Sequence, residues 1–220
     1  MDHMALPGLE RLLATCERSG VSARITTPSR TPPKAGQIVG GYPLDPALAA
    51  FYARCGGASF ASDVYLLRVN DAEDQLEERS QWWREDWQER MGMPLFIFGG
   101  VSSLAYYFAM VPGLADEQGL QPIVQVDTYE LDGPVLMPLA SNVDRFFDTY
   151  SRYLEELMVH EDFQALGTGA LSFPWKVPHL LARDDRLVQL LREGHFDSLL
   201  PGLEGRAWVA SIVAAHDRRS

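Results

Sequence analysis

The spacing of apolar residues changes repeatedly along this chain, from a helical period to strand-like runs and back. Leu6, Leu9, Leu12, Leu13 and Cys16 recur three and four residues apart, so residues 5–18 are expected to form a helix that Gly20 ends. Residues 21–27 follow as a candidate strand. The stretch PSRTPPKAG at 28–36 reads as a loop, because its three prolines withhold backbone donors. A second helix is predicted over 46–55. Asp45 can cap it, Pro46 suits its first position, and Gly56-Gly57 offers a left-handed exit. Leu48, Phe51, Tyr52 and Cys55 would form its apolar face.

Residues 58–69 are expected to form one strand centred on 64–69. The next segment, 71–90, is helical by pattern: Leu76, Ser80, Trp83, Trp87 and Met91 share one stripe, and Trp82 lies off it. Four β-like runs then follow, at 94–98, 104–111, 121–129 and 134–139, punctuated by Gly99-Gly100, Pro112-Gly113 and Asp132-Gly133. Strands in series without intervening helices favour antiparallel pairing. A long helix is expected from Ser141, with Ser141 and Asp144 approximating a capping box and Val143, Phe146, Phe147, Tyr150, Leu154 and Leu157 facing inward. Beyond residue 160 the pattern is helical but irregular, with Asp184 or Asp185 starting one helix, Gly194 stopping it, and another helix over 204–215. The expected fold is α+β: a central, mostly antiparallel sheet flanked by helices. The expected organisation is a main unit at 1–160 with a helical extension, 161–220, packed on it.

Composition adds constraints. The 220 residues are 46% hydrophobic, enough for a substantial core. There is no apolar run of about 18 residues, and the start of the chain lacks a signal-peptide pattern, so a soluble protein of the cytoplasm is expected. Cys16 and Cys55, in apolar helical settings without CxxC spacing, are expected to be buried and unpaired. Net charge is −11, which disfavours nucleic acid as a partner and suits a basic protein. The segment 71–90 concentrates this charge, with Asp71, Glu73, Asp74, Glu77, Glu78, Glu85, Asp86 and Glu89 against three arginines.

The search for chemistry mostly fails. His3, His160, His179, His195 and His216 are scattered, so no metal is expected. His160-Glu161-Asp162 is the tightest group and suits a solvated helix end. Gly36, Gly40-Gly41 and Gly167-Thr168-Gly169 lack the lysine and spacing of a phosphate loop, so no cofactor is expected. Ser102 and Ser103 stand outside any GxSxG elbow, which leaves an unrecognised hydrolase as an alternative. Asp127, Asp132, Asp184 and Asp185 suit solvation or capping. The Trp82-Trp83…Trp87 group suits either core packing or an interaction surface with aromatic anchors inside an acidic rim.

The order of these segments resembles the SUKH superfamily (Smi/Knr-type) of bacterial toxin-immunity proteins over roughly residues 42–155. The stretch LDPALAAFYARCGG at 44–57 is similar to the family's proline-started helix and Gly-Gly turn, with Cys55 where asparagine is usual. Residues 94–100, closing on Gly99-Gly100, and the aromatic run 104–109 look like its next two strands. PIVQVD at 122–127 looks like another, and LASNVDRFF at 139–147 resembles its strand-to-helix join, with Asn142-Val143 in place of Ser-Phe. Pro46, Gly56, Gly57, Gly99, Gly100 and Ser141 would be the structural positions of that motif. The resemblance implies a non-catalytic protein that binds and neutralises a protein toxin, possible nuclease toxins being basic; a scaffold or regulatory binder of the same fold is the alternative. Together with the acidity it places the expected contact surface on Asp63, Glu77, Glu78, Trp82 and Asp86.

Overall fold

The computed structural model describes residues 4–69, 74–102, 104–129, 135–166, 172–197, 200 and 202–219. His3, Asp71, Glu73, Ser103, Asp132, Gly133 and Gly167–Gly169 lie outside them. The fold is α+β, built on a seven-stranded antiparallel sheet. Its strands are β1 (Ala23–Ile25), β4 (Ala58–Phe60), β5 (Val64–Leu66), β6 (Phe96–Val101), β7 (Tyr106–Met110), β8 (Ile123–Asp127) and β9 (Val135–Ala140), adjacent in that order. The hairpin of β2 (Ile38–Val39) and β3 (Tyr42–Pro43) forms a separate pair. The helices are α1 (Pro7–Ser19), α2 (Pro46–Tyr52), α3 (Gln75–Asp86), α4 (Gln88–Met91), α5 (Val143–Val159), α6 (Glu161–Leu166), α7 (Pro178–Leu181), α8 (Asp185–Arg192) and α9 (Leu203–Asp217).

Adjacent strand residues face opposite sides of a sheet, and β7 shows what covers each side. Phe108 meets Phe146 of α5 at 4.9 Å between ring centroids, whereas Tyr107 meets Trp83 of α3 at 5.6 Å. The α5 side is the thicker layer. There α1 runs parallel to α5, with Arg11 beside Asp148 and Thr15 hydrogen-bonded to Ser151. Phe51 of α2 and Phe60 of β4 both pack on Phe147.

Several boundaries differ from expectation. The run 58–69 is a hairpin: β4 and β5 pair with each other, and Ala61 and Ser62 turn the chain at φ 57° and 56°. The helix expected over 46–55 stops at Tyr52, so Cys55 and the glycines lie beyond it. Gly56 serves close packing rather than an exit, because a Cβ there would stand 2.1 Å from the Thr27 carbonyl oxygen. The acidic helix begins at Gln75 and breaks at Trp87 into α3 and α4. Gly40 and Gly41, at φ 56° and 88°, form the β2–β3 turn.

The capping box expected at Ser141 is also corrected. Asn142 caps α5 by accepting from the Arg145 amide. Asp144 instead reaches α1, where its carboxylate accepts the Gly8 and Leu9 amides at 3.1 Å. Two other buried aspartates behave similarly. Asp45 caps α2 and also accepts the Gln121 amide at the head of β8. Asp184 caps α8 and accepts the Ser141 amide at the end of β9. Each carboxylate satisfies orphan helix donors and ties that helix to a distant segment.

The C-terminal helices lie against the main layer through Phe173, whose ring contacts Phe146, Tyr150 and Tyr153. Val177, Leu180, Leu181, Leu187, Val188 and Leu191 are buried there. Cys16 and Cys55 are buried and unpaired. Among the described residues, no helix is long and apolar enough to cross a membrane.

Candidate functional site

Helix α3 lies on the sheet face opposite α5 and carries most of the residues expected at a contact surface. Asp74 caps it by accepting the Glu77 amide at 3.1 Å. Leu76, Ser80 and Trp83 are its buried stripe. Trp83 stacks on Trp87 with centroids 5.5 Å apart and planes 13° apart. Trp82, off that stripe, is half-buried rather than free. It meets Trp83 edge-on at 6.0 Å and Tyr107 at 6.2 Å, and the Arg79 guanidinium lies over it at 5.0 Å. The result is a cluster of four rings, three from the end of α3 and its break at Trp87 and one from the sheet.

Beside Trp82 a surface hollow of about 530 Å³ is lined by Tyr65, Leu67, Gln75, Glu78, Arg79 and Trp82. Gly100 makes room for its Tyr65 wall: a Cβ on Gly100 would stand 2.8 Å from the Tyr65 hydroxyl oxygen. Gly99 is equally constrained, since its Cβ would meet the Tyr65 carbonyl oxygen at 2.3 Å. Burial raises the Tyr65 pKa, with nearby Arg79 pulling the other way, so the hydroxyl stays a neutral donor at physiological pH. Glu78 and Arg79 are the charged residues of the hollow's lining, and Glu85, Asp86 and Glu89 are exposed further along α3 and α4.

The five expected contact residues do not form one patch. Glu78, Trp82 and Asp86 follow at four-residue spacing on one helix face. Glu77 turns to the β2–β3 hairpin, where its carboxylate accepts the Gly40 amide at 2.6 Å while Arg84 donates to the Gly40 carbonyl at 2.9 Å. Asp63 sits in the turn before β5 and accepts from the Tyr150 hydroxyl of α5 at 3.3 Å; burial raises its pKa against the effect of that bond. It therefore faces the opposite layer. Ser102 donates its amide to the Asp63 carbonyl at 2.6 Å. Tyr65 and Tyr107 were not expected here; alternation along β5 and β7 places both toward α3, but only strand register brings them to Trp82.

Among the described residues no group of three or more His, Cys, Asp or Glu is placed to hold a metal ion. No family model, curated protein or solved structure matches this chain.

Proposed function

We propose that this chain is a non-catalytic immunity protein that binds a basic protein toxin and occludes it. The observation that carries the reading is the face of α3, where Trp82 and Tyr65 flank a surface hollow and exposed Glu78 and Asp86 lie one helical turn to either side of Trp82. Rigid aromatic anchors surrounded by charge suit protein recognition, and a net charge of −11 favours fast encounter with a cationic partner. The SUKH resemblance supports the same reading. Its segments fall in order on α2, β6, β7, β8 and the β9–α5 join.

The test is co-expression with the toxin encoded beside this chain. Restored growth, with the two proteins co-eluting at low salt, supports the proposal. Killing without complex formation overturns it, as does a gene neighbourhood without a toxin. Trp82→Ala and Glu78→Arg should each weaken the complex by about 2 kcal/mol if both lie at its centre. Glu78→Arg should act partly through a slower association rate, measurable by stopped-flow at two salt concentrations.

A further inference from the structure

The acidic charge of this chain is not evenly spread. On the α1–α5 layer, opposite α3, arginines gather instead. Arg11, Arg145 and Arg152 line a hollow of about 470 Å³ at the start of α1 and α5, together with Asp144 and Asp148. Arg183 and Arg219 stand close by: partial desolvation lowers the Arg183 pKa, and the neighbouring Arg152 and Arg219 guanidiniums lower it further. Asp148 is the carboxylate these groups share, bonded by Arg152 at 2.9 Å and facing Arg11 at 3.7 Å. Asp144 is committed to the α1 amides, and Glu155 to Arg11 and Arg18. Among the described residues Arg145 and Arg183, both exposed, make no ion pair. Arg145 also stands in the first turn of α5, whose cap, Asn142, is neutral, whereas α1, α2 and α8 are capped by carboxylates. A second hollow, of about 320 Å³, shares Asn142 and Arg145 with the first but is acidic, with Asp116, Asp184 and Asp185 beside Arg186.

We propose that the larger hollow binds a multivalent oxyanion, held by the three arginines that line it, Arg11, Arg145 and Arg152. Guanidinium groups present paired donors that match the oxygens of phosphate and carboxylate, and a bound anion relieves the repulsion among them. Met4, Pro7, Ala47 and Leu120 add apolar groups to the lining, so an anion with a small apolar body also fits. The site lies on the sheet face opposite the one assigned to the toxin and stands independently of that reading.

The experiment titrates the full chain with tripolyphosphate, and separately with citrate, at constant ionic strength balanced by sodium chloride, following heat and melting temperature. Saturable binding with a raised melting temperature is expected. Binding of tripolyphosphate alone assigns a phosphate ligand, and binding of citrate as well assigns oxyanions generally. Arg145→Glu and Arg152→Glu should each weaken binding by about tenfold, while Arg24→Glu, the same charge change on the exposed strand β1, should not. Failure of both anions to bind overturns the proposal. So does an unchanged affinity in the two variants, or an equal loss in Arg24→Glu, which would reduce the effect to net charge.

Discussion

Asp45 has no exposed surface, yet three backbone amides converge on its carboxylate: Ala47 at 2.7 Å, Leu48 at 2.9 Å and Gln121 at 2.6 Å. Burial pushes its pKa from 3.8 up to about 6, although those hydrogen bonds pull it down. The folded chain therefore holds this proton more tightly than the unfolded chain between about pH 4 and 6. The Asp45 contribution to stability is full below that window and is lost as pH rises through about 6. Asp45→Asn should flatten this part of the pH–stability curve. At pH 7 it should still cost about 1–2 kcal/mol, because an amide NH₂ then faces the Gln121 donor. Urea unfolding at pH 4.5 and 7 checks both, and parallel curves for the two proteins would refute the assignment. A similar contrast separates neighbouring tryptophans. Trp83 is fully buried, so Trp83→Ala should cost about 3–5 kcal/mol. Half-buried Trp82 should cost only about 1–2 kcal/mol and leave a folded protein for binding measurements.

Packing of α1 along α5 depends on one small residue. A Cβ on Gly8 would lie 2.0 Å from the Asp144 carbonyl oxygen, and the obstacle is backbone that cannot rotate away. Gly8→Ala gains at most about 1 kcal/mol of helix propensity. Forcing the helices apart costs about 1–3 kcal/mol and disturbs the Thr15–Ser151 bond as well, so thermal unfolding should show a net loss. Nothing near Gly8 in the chain announces this role, because the partner is 136 residues away. The same distinction runs through the fold. The four strands β6–β9 and the buried face of α5 follow from local period and were legible. The β4–β5 hairpin was not, because Ala61 and Ser62 take positive φ without a glycine or asparagine to signal a turn. Asn142 rather than Ser141 caps α5 because the helix starts one residue later, at Val143, while the Ser141 amide bonds Asp184, a tertiary contact outside any local pattern. At the candidate surface, Glu78, Trp82 and Asp86 share a face by helical spacing alone, whereas the diversion of Glu77 and Asp63 depends on segments 37 and 87 residues away.

At the scale of the whole molecule, the C-terminal helices complete the layer that α5 begins. Phe173 covers Phe146, Tyr150 and Tyr153, and Asp184 holds the end of β9 to the start of α8. Arg219 closes the segment on itself by donating to the Ala182 carbonyl at 2.7 Å. Each fully buried leucine or valine here contributes about 1.5–3 kcal/mol, so uncovering the six named above would forfeit burial energy of the same order as the net stability of an ordinary domain. Residues 1–160 alone should therefore melt more than about 10 °C below the full chain, or fail to fold, and the full chain should unfold in one transition. Asp184→Ala offers a milder probe of the same junction. It strands the Ser141 and Leu187 amides at a buried site, and about 1–3 kcal/mol should be lost. If the tail merely decorates an independent unit, this variant would leave the main transition in place and lower only a separate, earlier one; calorimetry distinguishes the two outcomes, and a single transition shifted as a whole is the one expected.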